Sequence, residues 1–211
     1  MLAGIFALCS VLLILLVLYA DTACIGPDGT SIGLSHLNEA VFKLFGVNIL
    51  WYHITDWLGF AALITGFAFS MMGLVQLIKR RSFIKVDKEI LLLGGLYLLV
   101  IGLYILFENT VVNYRPIIMP DGTRPEASFP SSHTMLVCVI MGSAYMLAGR
   151  YFKRRAVICS LKAACIAVIA VTVIGRLISG VHWFTDILGG ILISASLLSL
   201  YSWAIAKLHD R

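Results

Sequence analysis

The sequence is poor in charged residues, and this scarcity argues against an ordinary water-soluble domain. Asp, Glu, Lys and Arg make up 13% of the 211 residues, while 60% of the residues are hydrophobic. Soluble domains typically carry about 25% charged residues. A chain of this length cannot hide so much apolar surface in one small core, so lipid must cover much of it. The composition therefore predicts an integral membrane protein.

The sequence also lacks the cysteine patterns of disulfide-bonded and zinc-binding domains. Four of its five cysteines lie inside apolar runs, and only Cys24 falls in a polar stretch. No disulfide framework is therefore expected, and no two cysteines have the spacing of zinc ligands. Linkers, low-complexity tracts and internal repeats are missing as well, so residues 1–211 are predicted to form a single domain.

Six apolar segments are long enough, or nearly so, to cross a bilayer, which takes roughly 20 residues. They lie at about 2–20, 57–78, 90–107, 132–152, 156–175 and 185–206. The first is expected to be retained rather than cleaved as a signal peptide, because no basic segment precedes it and the residues after it make a poor cleavage site. The sequence thus predicts an all-α bundle of six transmembrane helices.

The connection between spans one and two carries a pattern of its own. Its apolar residues recur at intervals of three and four, which predicts a short helix lying in the membrane interface: Leu34, Leu37, Val41, Leu44 and Phe45. Trp51, Tyr52 and Trp57 are expected to form an aromatic girdle where the second span enters the membrane. Asp56 is interpreted as a cap for that span.

The basic residues are clustered beside apolar runs, which indicates membrane topology rather than nucleic-acid binding despite the net charge of +5. Six spans place three basic groups on one side: Lys79, Arg80, Arg81, Lys85 and Lys88; Arg150, Lys153, Arg154 and Arg155; and Lys207 and Arg211. The positive-inside rule assigns that side to the cytoplasm, and the same parity makes both termini cytoplasmic. No nucleic-acid partner is expected.

Three polar features lie in the loops on the opposite, extracytoplasmic side. The first is Tyr114-Arg115-Pro116, and the second is Phe129-Pro130-Ser131-Ser132-His133 at the start of span four. The third runs from Gly175 to Asp186, at the start of span six. Because parity brings all three to one membrane face although they are far apart in sequence, they predict a functional site.

The side chains of these features suit phosphoryl transfer. His182 and Asp186 are four residues apart, so one helical turn places them on the same face. A carboxylate there accepts a hydrogen bond from Nδ1 of the imidazole and leaves Nε2 as a nucleophile. His133 is placed to give a proton to a leaving oxygen. The plainer alternatives are two interfacial histidines and an aspartate that only caps span six.

The remaining groups suit the binding of a phosphate. Ser131 and Ser132 are good N-cap residues for span four, and the free N–H groups and dipole of that helix start attract anions. Arg115 and Arg176 offer planar, permanently charged forks for phosphoryl oxygens. The plainer alternative is that both arginines reach toward lipid headgroups. The set is complete without a metal ion.

Taken together, the three features resemble the tripartite signature of the type 2 phosphatidic acid phosphatase superfamily, which reads K-x6-R-P, P-S-G-H and S-R-x5-H-x3-D. The resemblance covers residues 108–190. It implies a metal-independent enzyme without a cofactor, in which His182 attacks phosphorus, Asp186 orients His182, and His133 protonates the leaving group. Arg115, Arg176 and the backbone around Ser131 and Ser132 would hold the phosphoryl group.

Three positions depart from that signature. Glu108 stands where the family has a lysine, Ser132 replaces a glycine, and Gly175 replaces a serine. Gly175 removes a hydroxyl that could bind phosphate, and the carboxylate of Glu108 would repel phosphate. Arg124 is considered as a substitute for the missing lysine, and Glu108 is expected to pair with Arg115 or Arg124.

The resulting hypothesis is a multi-pass cell-membrane phosphatase that hydrolyses a lipid phosphate or diphosphate at the extracytoplasmic face. Candidate substrates are undecaprenyl diphosphate, phosphatidylglycerophosphate, phosphatidic acid and diacylglycerol pyrophosphate. One alternative is a phosphotransferase that uses the same phosphohistidine with a lipid or sugar acceptor. The other is a lipid-phosphate binder or transporter without catalysis, although transporters usually place their charged groups near the bilayer midplane.

Overall fold

The structure of the protein is a computed structural model, which describes residues 1–119 and 122–209. Arg211, a member of the third predicted basic group, lies outside these ranges. Within these ranges the chain forms seven α-helices and no β-sheet. The helices are α1 (Leu2–Tyr19), α2 (Ser35–Phe45), α3 (Ile49–Arg80), α4 (Lys88–Asn109), α5 (Ser132–Tyr151), α6 (Arg155–Ser179) and α7 (Phe184–His209). Short 3₁₀ turns at Pro27–Gly29 and Phe83–Lys85 lie in the connections.

Six of these helices are long and apolar enough to cross a membrane, and α2 is the short helix predicted between the first two of them. The prediction of an all-α bundle with six spans is therefore confirmed. The protein is a multi-pass membrane protein. Hydropathy locates the spans because a bilayer of fixed thickness demands apolar stretches of nearly fixed length.

The start of α3 differs from the prediction, and the difference matters for the site. The side-chain oxygen of Asn48 accepts a hydrogen bond from the N–H of Trp51 at 3.3 Å, so Asn48 caps the helix. The helix therefore begins eight residues before the predicted position 57, because the aromatic and polar residues there lower the hydropathy without breaking the helix. The interpretation of Asp56 as a cap is wrong, since Asp56 lies two turns inside α3.

Helix α5 lies at the centre of the bundle and is the most buried of the six spans. It packs against α3, α6 and α7, while α1 covers α7 on the outside. Met135, Val137 and Val139 of α5 are almost fully buried. The central position of α5 means that its first residues are surrounded by neighbouring helices, which is what a site at its N-terminus requires.

The bundle has two chemically different ends. At one end, here called the basic end, Arg80 contacts Asp87 at 2.9 Å and Arg150 contacts Glu89 at 3.3 Å. The other end, here called the site end, contains the loops before α5 and α7 and the start of α3. The N–H of Ser131 donates to the carbonyl oxygen of Asp186 at 2.9 Å, so two loops with predicted site residues are joined there.

Candidate active site

Hydrogen bonds between distant segments fix the start of α7 at the site end. The indole N–H of Trp183 donates to the carbonyl oxygen of Tyr114 at 2.6 Å. The side chain of Asn38, which is fully buried in α2, accepts a hydrogen bond from the N–H of Thr185 at 3.2 Å and donates to its hydroxyl at 3.0 Å. The short interfacial helix therefore anchors the first turn of α7, a role that the sequence pattern did not reveal.

His182 lies in the link between α6 and α7 and is only 4% exposed. Its Nε2 is 3.4 Å from Nη1 of Arg115, which lies in the loop between α4 and α5. Its Nδ1 is 3.7 Å from Oδ2 of Asp186 and has no hydrogen-bond partner in the described part of the chain. The two predicted partners, Arg115 and Asp186, thus lie on opposite nitrogens of the imidazole ring.

Asp186 is fully buried and serves two neighbours at once. Its Oδ2 accepts a hydrogen bond from the N–H of Trp183 at 2.9 Å, the reciprocal contact of a capping box at the start of α7. Its Oδ1 accepts a longer one, at 3.5 Å, from the side-chain amide of Asn113. The alternative that Asp186 caps span six therefore holds together with its proximity to His182, although 3.7 Å is beyond hydrogen-bond distance.

The environment of His182 favours the neutral imidazole. Burial lowers the pKa of His182 well below its usual range, and the positive charges of Arg115 and Arg176 and the nearby His133 lower it further. Of the three, Arg115 is in contact with the imidazole, with Nη1 at 3.4 Å from Nε2. A neutral imidazole retains the lone pair that a nucleophile needs.

Arg115 is held by two acceptors beside His182. Its Nε–H donates to Oε2 of Glu126 at 3.1 Å, and Nη1 donates to the carbonyl oxygen of Val181 at 3.3 Å. The prediction that Glu108 pairs with Arg115 is wrong, because Arg115 pairs with Glu126, eleven residues later in the chain. The backbone N–H of Arg115 also donates to the carbonyl oxygen of Glu126 at 3.0 Å, and sequence spacing alone does not disclose this pairing.

Glu108 and Arg124 occupy different surroundings from those expected. Glu108 lines a small cavity, about 20 Å³, together with Arg115, Ser132 and His182, but has no ion-pair partner among the described residues. Arg124 is exposed, and within the described chain it makes no hydrogen bond or ion pair. No contact among the described residues therefore supports the interpretation that Arg124 replaces the missing lysine.

The start of α5 is capped as predicted, but its two serines differ in what they offer. The hydroxyl oxygen of Ser131 accepts hydrogen bonds from the N–H of Thr134 at 3.4 Å and from its hydroxyl at 3.0 Å. The N–H of Ser131 is already bound to Asp186, so it is not available to an anion. The N–H groups of Ser132 and His133 lie in the first turn and have no partner within the helix.

Arg176 is joined to His133 through a carboxylate that sequence analysis assigned another role. Nη2 of Arg176 donates to Oδ1 of Asp56 at 2.5 Å, and Nε2 of His133 lies 3.1 Å from the same oxygen. Arg176 is only 1% exposed and lies over the ring of Tyr52. An ionisable residue inside a span is a signal of function, and that signal could have identified Asp56.

The departure at Gly175 has a steric explanation. A Cβ atom at this position would meet Cγ2 of Thr55 at 2.6 Å and Cε3 of Trp51 at 2.9 Å. Helices α3 and α6 therefore approach too closely for a serine. The glycine removes a hydroxyl group, and it also lets α3 bring Asp56 to Arg176.

A larger cavity, about 380 Å³, opens beside His133. Asp56, Ser132 and His133 form its polar part, and Phe60, Leu63 and Leu136 form its apolar part. Ser132 and Tyr104 line both this cavity and the small one beside His182. The two histidines thus face neighbouring spaces that share a wall.

Comparisons with known proteins agree with this architecture. The family model described as PAP2 superfamily matches residues 108–210, and this region belongs to that superfamily. The match confirms the resemblance seen in the signature and the predicted enzyme class, a phosphatase that acts as a hydrolase.

One solved structure has the same fold over nearly the whole chain. It is a transmembrane PAP2-type phosphatidylglycerolphosphate phosphatase from Bacillus subtilis, with a TM-score of 0.62 and 19% sequence identity. The alignment covers 98% of this chain and 96% of the other. A search of curated protein sequences finds no match.

Proposed function

We propose that this protein hydrolyses a lipid phosphate through a phosphohistidine formed on Nε2 of His182. The observation that carries the proposal is the contact of 3.4 Å between this buried nitrogen and Nη1 of Arg115. A guanidinium group beside a neutral imidazole attracts a phosphate to the atom that attacks it. Membership of residues 108–210 in the PAP2 superfamily supports the same chemistry.

The reaction has two steps. In the first, the lone pair of Nε2 attacks phosphorus, the P–O bond to the lipid alcohol breaks, and His133 gives a proton to the leaving oxygen. In the second, a water molecule attacks phosphorus while His133 takes a proton from it. The P–N bond then breaks, and phosphate and neutral His182 are released.

Several donors support the binding of the phosphoryl group. Nε of Arg176 is buried and has no hydrogen-bond partner within the described residues, and a buried donor of this kind calls for an acceptor. The N–H groups of Ser132 and His133 lie at the positive end of the α5 dipole. Ser131 has a structural role as the cap of α5. Asp186 positions His182 by fixing the first turn of α7.

The active site faces the extracytoplasmic side in this proposal. Lys and Arg collect at the basic end, which the positive-inside rule assigns to the cytoplasm. The site end then lies at the outer surface, and both termini are cytoplasmic. The phosphate of an outer-leaflet lipid would enter from the interface.

A lipid substrate suits the larger cavity. Its polar part lies at His133, while Phe60 and Leu63 are each at least half exposed on the membrane-facing surface of α3. An amphiphile can keep its tail in lipid there while its phosphate reaches the polar part. The candidates are phosphatidylglycerophosphate, as in the name of the Bacillus subtilis protein, phosphatidic acid and undecaprenyl diphosphate.

The proposal is tested by phosphate release from a panel of these lipids by the purified protein in detergent, with EDTA or with vanadate. We expect activity that resists EDTA, is inhibited by vanadate, and falls to background in His182→Ala. Chemical quenching should trap an acid-labile phosphoenzyme in the wild type and none in the variant. A requirement for magnesium, or turnover by His182→Ala, would contradict the mechanism. Consumption of lipid phosphate without free phosphate would indicate a phosphotransferase.

A further inference from the structure

One carboxylate oxygen at the site end joins two groups that perform different tasks in the proposed reaction. Oδ1 of Asp56 accepts a hydrogen bond from Arg176 at 2.5 Å and lies 3.1 Å from Nε2 of His133. Arg176 is proposed to hold the phosphoryl group, and His133 is proposed to move a proton. Asp56 comes from α3, outside the three signature segments and outside residues 108–210.

Two glycines allow α3 to bring Asp56 to this position. A Cβ atom at Gly59 would meet Cδ2 of His133 at 2.9 Å, and one at Gly175 would meet Thr55, the neighbour of Asp56, at 2.6 Å. Both distances are shorter than ordinary van der Waals contact. The helix is therefore packed against α5 on one side and α6 on the other without intervening side chains.

The packing against Gly59 also orients the ring of His133. The edge that carries Cδ2 and Nε2 faces α3 and Asp56, so the other edge carries Nδ1 away from Asp56. Nδ1 makes no hydrogen bond to any described residue. A carboxylate close to one imidazole nitrogen favours the proton on that nitrogen and leaves the other nitrogen for proton transfer.

We infer that Asp56 is a positioning residue for the general acid: it holds Nε2–H of His133, so that Nδ1 exchanges the proton with the substrate. This inference rests on the proposed function. In the first step, the Nδ1–H bond of the imidazolium breaks and its proton goes to the leaving oxygen as the P–O bond breaks. In the second step, neutral Nδ1 takes a proton from the attacking water as the P–N bond breaks. Nε2 keeps its proton beside the carboxylate of Asp56 throughout.

A purely structural role for Asp56 would look different in kinetics. Its carboxylate also neutralises the buried Arg176, and removal of that effect would weaken phosphate binding for every substrate alike. Loss of general acid catalysis instead depends on the leaving group. An alkoxide needs a proton in order to leave, whereas a nitrophenolate leaves without one.

The test compares two phosphate monoesters with each variant: dioctanoyl phosphatidic acid, an alkyl ester, and 4-nitrophenyl phosphate, an aryl ester. For Asp56→Asn we expect the ratio of kcat/KM on the alkyl ester to kcat/KM on the aryl ester to fall about ten- to a hundredfold, which reaches the lower end of the roughly 10²–10⁴-fold that general acids contribute. We compare kcat/KM because it reports formation of the phosphoenzyme, whereas the second step, which also uses His133, is common to both esters. On the aryl ester kcat/KM should fall only by the factor that weaker phosphate binding imposes on both esters, because a nitrophenolate leaves without a proton. KM should rise by a similar factor for both esters through Arg176.

Three further variants sharpen the comparison. His133→Ala should lower the same ratio of kcat/KM values, and Asp56→Asn added to it should lower that ratio no further. Asp56→Glu, which restores the charge, should recover part of the alkyl activity. Asp21→Asn is the matched control, because it removes a carboxylate that pairs with His36 at 2.6 Å on the exposed surface. It should leave the ratio of the two activities unchanged.

The ratio of alkyl to aryl activity is measured on one sample, so partial unfolding of a variant does not alter it. Equal losses of kcat/KM on both esters in Asp56→Asn, or no loss on either, would overturn the inference. Additive losses in the double variant would do the same. A wild type without activity on either ester would instead overturn the proposed function, and the inference with it.

Discussion

Restoring the family serine at position 175 is expected to damage the protein. A Cβ atom there would lie 2.6 Å from Cγ2 of Thr55, which is 0.8 Å less than the 3.4 Å at which ordinary contact begins. Thr55 is fully buried and β-branched, and its hydroxyl donates to backbone carbonyls of α3, so it has little freedom to move. Helix α3 itself must shift.

The expected cost follows from overpacking. Extra atoms in a well-packed interior typically cost about 1–3 kcal/mol. In a protein of this size each kcal/mol lowers Tm by about 2–4 °C. The shift of α3 also separates Asp56 from Arg176, so phosphatase activity should fall together with Tm. Gly175→Ala should behave like Gly175→Ser, because the clash is made by Cβ and does not involve the hydroxyl.

The measurement is thermal unfolding in detergent at a fixed scan rate, together with kcat and KM for a lipid phosphate. Gly102→Ser is the control, because Gly102 lies in α4 with no atom within 4 Å of its Cβ position. It should change neither quantity. If Gly175→Ser kept the wild-type Tm and lowered KM, the added hydroxyl would be reaching phosphate, and the steric argument would be refuted.

Two further predictions concern the charges around His182. The pKa of His182 is held well below its usual range by burial and by Arg115, so below about pH 6.5 the unfolded chain gains a proton that the folded protein does not. The free energy of unfolding should therefore fall with decreasing pH, by at most about 1.4 kcal/mol per pH unit from this group. Between pH 7.5 and 5, Tm of His182→Gln should fall less than Tm of the wild type. Parallel curves of Tm against pH for the two proteins would contradict this. Glu108 lines the cavity beside His182, so Glu108→Lys should lower KM for a lipid phosphate roughly three- to tenfold by replacing repulsion with attraction. A higher KM would mean that Glu108 binds part of the substrate.

The sequence was sufficient for the spans and for much of the site, for different reasons. The spans follow from hydropathy because lipid imposes one condition on every residue of a long segment. The spacing of His182 and Asp186 predicted their proximity, and the structure gives 3.7 Å between them, although His182 lies just before α7 and not in a helical turn. Parity of the spans placed the loops with Arg115 and His133 at the same end.

The contacts that the sequence did not reveal come from the packing of one helix against another. Asp56 reaches Arg176 across 120 positions, and Asn38 reaches Thr185 across 147. No local period or motif links such residues. The glycine at 175 illustrates the difficulty, because in the sequence it reads as a missing hydroxyl, whereas in the structure it makes room for α3.

Helix α2, which is predicted to lie in the membrane interface, is linked by a hydrogen bond to the candidate site. It presents Leu37, Leu44 and Phe45 outward and turns its buried amide, Asn38, toward the first turn of α7. A displacement of α2 relative to the bundle would therefore act through Asn38 on Thr185, in the first turn of α7, which follows His182, the proposed nucleophile. In the proposed mechanism, the position of the nucleophile would thus depend on how α2 is seated at the membrane surface.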